Sequence, residues 1–169
     1  PKLSFNHPCK ELFWFVTATG GANTAVDNVN WYNFTTNQAG TTATAVNTNV
    51  EARSATTSVN PIASAKLVLN GNDRFSERNG SYFNTIQPYQ HHENVPTNAG
   101  INVYSFALKP EEHQPSGTLN MSRIDTAVLN LNLNAVYTAT NLDKSLHVYA
   151  VNYNVLRILS GMGGLAYSN

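Results

Sequence analysis

Hydrophobic and polar residues alternate along several stretches of this chain with the two-residue period of a β-strand. The clearest case is the segment Ser122–Asn134, in which Leu129, Leu131 and Leu133 face one way and asparagines face the other. Because only one face is apolar, the segment is predicted to be a half-buried antiparallel strand.

Other segments predict further strands. Leu12–Val16 and Ile101–Leu108 carry apolar residues on both faces, so both are predicted to be strands buried on both sides. Ala63–Leu69 is predicted to be another strand. Leu146–Leu159 is predicted to be the last one, with every second residue on one face: Tyr149, Val151, Tyr153 and Val155.

Turn residues separate these strands. Asn70–Asp73 contains Asn-Gly, which tolerates positive φ, and Asn141–Lys144 is predicted to turn the chain. Two prolines and a glycine exclude a strand from Lys109–Gly117. Ser81–Gln87 is predicted to form a short helix before Pro88. No longer segment sustains a helical period, so the fold is predicted to be all-β, an antiparallel β-sandwich.

A stretch at about residues 20–60 lacks any such period. It is rich in Asn, Thr and Ala, and it is predicted to be a long surface loop with a short aromatic anchor, formed by Val29, Trp31, Tyr32 and Phe34. The glycines near the end predict an irregular tail from Gly161 to Tyr167. A chain of 169 residues suits one core, so residues 1–169 are interpreted as a single domain.

Charge excludes one class of partner. Ten Lys and Arg balance ten Asp and Glu, and charged residues make up only 12% of the chain. A protein that binds a genome directly is expected to carry a basic surplus, so no direct contact with nucleic acid is predicted.

Asn and Thr are abundant in place of charged residues, with 24 and 17 occurrences. Such a polar, weakly charged surface can pack against neighbours without burying unpaired ions.

Cysteine content and hydropathy indicate in which kind of cellular compartment the protein folds. The single cysteine, Cys9, excludes an internal disulfide framework and fits a reducing compartment. The longest fully apolar run, Leu12–Val16, is too short to be a transmembrane segment. No signal peptide is recognisable, and the missing initial Met suggests a piece of a longer protein.

Four phrases of the sequence resemble those of a known family. They are HPCKELFWF from His7, LNGNDRFSERNGSYFNTIQPYQHH from Leu69, GINVYSFALKPEEHQPSGTLNMSRID from Gly100 and ILSGMGGLAYSN from Ile158. All four resemble the C-terminal part of the major capsid protein of nucleocytoplasmic large DNA viruses, the double jelly roll family. Only about Thr19–Ala65 carries no phrase of this kind.

The resemblance implies both a fold and a function. The fold would be the second jelly roll of a double jelly roll protein, incomplete at its N-terminus. The full-length protein would be a structural virion protein that trimerises into pseudo-hexagonal capsomers, which tile an icosahedral shell. Its partners would be neighbouring capsomers and minor capsid proteins, and the inner membrane would be contacted only through other proteins. Assembly would take place in the host cell cytoplasm, and no catalytic residue, metal or cofactor is expected.

Two other function classes remain open on the residues alone. A glycan-binding β-sandwich module would use Trp31 and Tyr32 of the long loop. A metal-dependent enzyme of the cupin type would use His91, His92 or His113. Adjacent histidines on an extended segment point to opposite sides, however, so only one of His91 and His92 would reach a shared ion.

Charged side chains are further candidates for contacts, because the chain has so few of them. Five lie in or beside the family phrases: Arg74, Glu77, Arg78, Arg123 and Asp125. They are predicted to form ion pairs that lock the loop from Asn70 to Gly80 onto the sheet, or to pair across a subunit boundary. The internal lock is favoured, since Arg123 and Asp125 would project from one strand face. His91 and His92 are candidates for the same kinds of contact.

Three asparagines lie in the Asn-x-Ser/Thr pattern of N-linked glycosylation: Asn33, Asn79 and Asn120. A chain so rich in Asn and Thr is expected to contain such patterns by chance. The three asparagines are therefore candidate glycan sites on pattern alone.

Overall fold

A computed structural model describes residues 1–19, 34–35, 60–97, 99–134 and 143–167. Within these ranges the chain is mostly β-strand. The strands are β1 (Lys2–Leu3), β2 (Pro8–Thr19), β3 (Ile62–Leu69), β4 (Asn72–Asp73), β5 (Arg78–Asn79), β6 (Asn102–Ser105), β7 (Leu119–Asn120), β8 (Ala127–Leu133), β9 (Asp143–Asn152), β10 (Leu156–Leu159) and β11 (Met162–Leu165). The helical elements are a π-helical turn (Tyr82–Ile86), helix α1 (Gln87–His91) and a 3₁₀ turn (Met121–Arg123).

The strands form two main sheets and a separate hairpin, and every pairing is antiparallel. The first sheet has the order β1-β8-β3-β4, with β5 also paired to β3. In the second sheet β2 is central and pairs with β6, β7 and β9. β10 and β11 pair only with each other. The predicted all-β, antiparallel architecture is confirmed.

One hydrophobic core joins the two sheets. β2 contributes Cys9, Leu12, Trp14 and Val16, and the first sheet contributes the following buried side chains: Leu3, Ile62, Ala65, Leu67, Ala127 and Leu129. Phe83 from the π-helical turn is fully buried against Trp14 and Phe75, with ring centroids 5.2 and 5.5 Å away. Cys9 is a packed core side chain as predicted, and burial raises the pKa of its thiol to about 12.

The two strands predicted to be buried on both faces, β2 and β6, differ in how far their side chains are buried. All four residues of β6 are buried, which confirms that prediction over a shorter span. β2 is buried on one face and half-buried on the other. The half-buried face is covered by aromatic contacts, in which Phe13 stacks on Tyr149 at 5.3 Å and Phe15 lies 4.3 Å from Phe34.

Several local predictions are confirmed. β3 lies where a strand was predicted, and β8 lies where alternation predicts it, although β8 begins only at Ala127 because a 3₁₀ turn precedes it. Asn70 and Gly71 form a two-residue turn with φ values of 49° and 82°. The predicted helix exists but continues beyond Pro88, whose missing N–H is tolerated in the first turn of α1.

The predictions for the end of the chain need correction. The segment Leu146–Leu159 is two strands rather than one, because β9 ends at Asn152 and β10 begins at Leu156. The glycine-rich tail is strand β11 rather than irregular structure. Asp143 and Lys144 begin β9 instead of forming a turn.

The predicted long loop at residues 20–60 lies mostly outside the described residues, as do Val29, Trp31 and Tyr32 of its aromatic anchor. Its described residues include Phe34 and Thr35, and Thr35 is fully buried. A Cβ added at Gly100 would collide with the backbone of Phe34, so Gly100 allows this segment to approach the start of β6 closely.

Replacing Phe83 tests the shared core. We expect Phe83→Ala to lower the free energy of unfolding by about 3–5 kcal/mol, because the cavity would open between both sheets and the helical segment. Urea denaturation followed by tryptophan fluorescence measures this. Tyr89→Ala, on the exposed surface of α1, is the control and is expected to change stability by less than about 0.5 kcal/mol. Equal effects of the two variants would contradict this account of the core.

Candidate functional site

Amide side chains of the helical segment bind the outer edge of β6. The Gln87 side chain accepts a hydrogen bond from the Ser105 amide at 3.1 Å and donates to the Tyr82 hydroxyl at 2.8 Å. Asn84 donates to the Ile101 carbonyl at 2.9 Å. Gln87 and Asn84 are both buried. They supply the hydrogen bonds that a neighbouring strand would otherwise supply, and they cover this edge of the sheet.

A second pair of amides lies inside the fold. Asn102 is fully buried and donates to the Gly100 carbonyl at 2.9 Å. Asn60 donates to Asn102 at 2.6 Å and accepts from the Ile62 amide at 3.0 Å. The pair therefore ties the start of β3 to the start of β6. The sequence analysis did not identify it, and its signal was an Asn within an otherwise apolar strand.

Two of the candidate contact residues, His91 and His92, fasten the end of α1. Nδ1 of His91 donates to the Leu108 carbonyl at 3.0 Å. Nε2 of His92 lies 2.8 Å from Oε2 of Glu11 on β2, and both side chains are largely buried. The Glu93 amide donates to the Glu111 carboxylate at 2.8 Å. The two histidines thus reach different partners and each makes an internal contact, but His91 ends helix α1 and does not lie on the predicted extended segment.

The Glu11 contact sets the charge state of His92. The hydrogen bond from the ring to this carboxylate raises the pKa of His92 above its usual 6.5, while partial burial of the ring acts in the opposite direction. The protonated form is therefore favoured in the folded chain. A charged hydrogen bond of this kind is stronger than a neutral one, so it strengthens the attachment of α1 to β2.

A polar cluster holds the loop from Asn70 to Gly80 on the first sheet. The Glu77 carboxylate accepts hydrogen bonds from the Ser64 hydroxyl and, at 2.7 Å, from the Asn132 amide. These two hydrogen bonds and the nearby charge of Lys66 lower the pKa of Glu77. Lys66 also pairs with Asp73 at 3.2 Å, in an exposed setting where such pairs contribute little.

The other four charged candidates make different contacts from those predicted. The Arg78 guanidinium lies over the Tyr82 ring at 5.6 Å, and the Arg74 amide donates to the Leu67 carbonyl. Arg123 belongs to the 3₁₀ turn rather than to a strand, so the shared strand face with Asp125 was wrong. In the part of the chain that the structure describes, none of these four side chains forms an ion pair. A contact of theirs across a subunit boundary stays a prediction.

Two of the three candidate glycan sites lie on the exposed surface. Asn79 accepts hydrogen bonds from the amide and hydroxyl of Ser81, both at 3.0 Å. Asn120 accepts from the Ser122 amide at 3.1 Å. Asn33 lies outside the described residues, as do Trp31 and Tyr32 of the glycan-binding alternative. Glycan occupancy stays a prediction.

No observation favours the metal-dependent alternative. Among the described residues, no group of three or more His, Cys, Asp or Glu side chains is placed to hold a metal ion. His113 lies on an exposed loop, whereas His91 and His92 make internal contacts. Over the same described ranges, no helix is both long and apolar enough to cross a membrane.

Among the described residues, two exposed apolar surfaces stand out after these contacts are assigned. The helix-end patch consists of Ile86, Tyr89 and Leu108, which are 45%, 78% and 72% exposed. The second surface is the hairpin β10–β11, whose large aliphatic side chains are all exposed. Exposed apolar clusters of this kind are typical of protein–protein interfaces.

Comparison with known proteins identifies the family. A family model described as the large eukaryotic DNA virus major capsid protein matches residues 1–164. The chain belongs to this family. The major capsid protein of Pyramimonas orientalis virus is 46% identical over 190 residues, which cover 99% of this chain and 38% of that protein. That of Phaeocystis pouchetii virus is 68% identical over 111 residues, which cover 65% of this chain and 21% of that protein.

The solved structures agree with the family. A quasi-atomic model of the PBCV-1 virus capsid matches with a TM-score of 0.72 at 39% identity, over 100% of this chain and 45% of the capsid chain. The prediction of a jelly roll from a double jelly roll capsid protein is confirmed by this match. The chain spans less than half the length of these relatives.

Replacing Gln87 tests the closure of the β6 edge. We expect Gln87→Met to cost about 1–3 kcal/mol of unfolding free energy, because the buried Ser105 amide loses its acceptor while side-chain size is kept. Urea denaturation gives the cost, and faster hydrogen exchange at the Ser105 amide locates it. Gln90→Met, on the exposed side of the same helix, is the matched control. An unchanged exchange rate at Ser105 would contradict this role of Gln87.

Titration of His92 gives a pH dependence of stability. Because the folded pKa of His92 is raised, its contribution is fully present below the unfolded pKa and is lost as pH rises through the folded pKa. We therefore expect stability to fall as pH rises above the ordinary histidine pKa of about 6.5, and His92→Gln to flatten this part of the profile. Unfolding free energies measured across this rise in pH test this expectation. His113→Gln, which changes an exposed histidine, should keep the wild-type slope, and a slope that survives in His92→Gln would refute the assignment.

Proposed function

We propose that this chain is the C-terminal jelly roll of a major capsid protein, and that three copies of the full-length protein assemble into a pseudo-hexagonal capsomer of an icosahedral shell. The observation that carries the proposal is the family match over residues 1–164, together with the likeness to a capsid chain along the whole sequence. The role is structural, because the family is one of capsid proteins. The protein acts by burying surface between subunits.

The composition of the surface supports assembly. Charged residues make up 12% of the chain, so few ions need to be desolvated or paired when subunits meet. The helix-end patch offers an apolar area that is held in place, since His91 fixes the Leu108 carbonyl and His92 fixes the end of the helix to β2. A preorganised apolar patch of this kind loses little conformational entropy when it binds.

The partners follow from the same role. Each trimer contacts neighbouring capsomers and minor capsid proteins, and the inner membrane is reached only through other proteins. Net charge is zero at neutral pH, which supports a protein that encloses a genome without binding it directly. The buried thiol of Cys9 suits assembly in the reducing host cytoplasm.

Light scattering on a sizing column tests the trimer. We expect the full-length protein to elute with three times the mass of one chain, and negative-stain images of that peak to show hexagonal blocks. Obligate interfaces bury on the order of 2,000 Å² or more, so the trimer should persist on dilution. A monomer at all concentrations would overturn the proposal.

A pair of variants tests the helix-end patch within the same experiment. Tyr89→Lys places a charge in the exposed apolar patch and should reduce the trimer fraction. Gln90→Lys adds the same charge at the next residue, on an exposed polar position of the same helix, and should leave the trimer intact. If both variants form the trimer to the same extent, this patch is not part of the trimer interface. The mass measured for the wild type would still decide whether the protein is a trimer.

A further inference from the structure

The contact between His92 and Glu11 joins the end of helix α1 to strand β2. Nε2 of the ring lies 2.8 Å from Oε2 of the carboxylate. The two side chains are 15% and 14% exposed, whereas every side chain in the other ion pairs of the described chain is at least 31% exposed. Solvent and salt therefore screen this pair less than the others, and its strength depends on the charge of His92.

The residues on either side of His92 fasten the helix-end patch. Nδ1 of His91 donates to the carbonyl of Leu108, which is a patch residue, at 3.0 Å. The Glu93 amide donates to the carboxylate of Glu111, in the loop that follows Leu108, at 2.8 Å. The rest of the patch belongs to the helical segment. The two halves of the patch are therefore held together at the end of the helix that His92 attaches to β2.

The charged groups that act on the His92 ring are carboxylates. Glu11 lies on β2, and Glu111 lies on the loop after β6. The hydrogen bond to Glu11 and the charges of both carboxylates raise the pKa of His92, while burial of the ring acts in the opposite direction. Nδ1 of His92 is buried and has no hydrogen-bond partner among the described residues. Glu11 is thus the one partner of this ring within that part of the chain.

Other titratable groups on the neighbouring elements have different contacts. On β2, the Lys10 ammonium lies over the Tyr153 ring, 5.0 Å from its centroid. In the loop after β6, Lys109 pairs with Glu112 at 3.0 Å. On β6, Tyr104 is buried in the core. The ordinary pKa values of these four kinds of group lie far from neutrality, whereas that of histidine lies close to it.

We propose that His92 and Glu11 form a proton-controlled latch for assembly, in which the protonated ring holds the helix-end patch in the arrangement that binds a neighbouring copy. The inference rests on the proposed function, in which this patch lies in the trimer interface. A contact that forms best with the protonated ring must in turn favour protonation, because the two equilibria are linked. The subunits are therefore held together more tightly at slightly acidic pH than at slightly alkaline pH.

Subunit exchange in the full-length protein tests the latch. Trimers of ordinary chains are mixed with trimers of isotope-labelled chains, and native mass spectrometry follows the appearance of mixed trimers at pH values on both sides of the ordinary histidine pKa of about 6.5. We expect exchange in the wild type to become about five to ten times faster as pH rises, since a charged hydrogen bond is replaced by a neutral one. Tryptophan fluorescence checks that the chains stay folded throughout.

Two variants and a control locate the effect. His92→Gln and Glu11→Gln each remove the charged pair while keeping a side chain that can form hydrogen bonds, so both should lose the pH dependence of exchange. If one of them does not fold, the other carries the test. His113→Gln changes an exposed histidine and should keep the dependence of the wild type. A wild-type exchange rate that does not change with pH, or a dependence that survives in His92→Gln, would overturn the latch.

Failure of the latch is distinguishable from failure of the proposed function. A trimer whose exchange rate is independent of pH leaves the capsomer proposal intact and overturns only the latch. A wild type that is a monomer at all concentrations overturns the trimer, and the latch with it.

Discussion

The outer edge of β6 imposes the main constraint on this fold. Its backbone groups are buried and must be hydrogen-bonded, yet no strand of the described chain lies on that side. Gln87 and Asn84 satisfy them from the helical segment, and that requirement fixes where the segment lies. Once it is fixed, Phe83 enters the core between the sheets, and the helix end is presented to solvent with its apolar patch.

Much of the strand structure could be predicted because it depends on local periodicity. Alternation defined β8, and the apolar run around Val103 defined β6. The Asn70-Gly71 turn followed from the positive φ that these residues tolerate. The same reasoning erred near the end of the chain. The apolar pattern continued to Leu159, although Ser160-Gly161 was a turn signal that indicated a hairpin.

The polar contacts could not be predicted, because they join residues that are far apart in sequence. Asn60 and Asn102 look like ordinary polar residues until the fold brings them together inside the core. Glu77 was one of five charged residues expected to form ion pairs, but the strands beside its loop present a hydroxyl and an amide to it instead. The sequence shows that the Glu77 carboxylate needs hydrogen-bond donors. Which donors it obtains depends on the register between the strands beside it.

The position of Cys9 also determines how the chain responds to oxidation. Its thiol is fully buried, donates to the Glu11 carbonyl at 3.2 Å and stays protonated at neutral pH. The thiolate is the form that exchanges with disulfides and reacts with peroxides, and solvent does not reach it here. The folded chain is therefore expected to form no covalent bridge through this residue, in reducing or in oxidising solution. Thiol reagents are therefore expected to leave Cys9 unmodified as long as the chain stays folded.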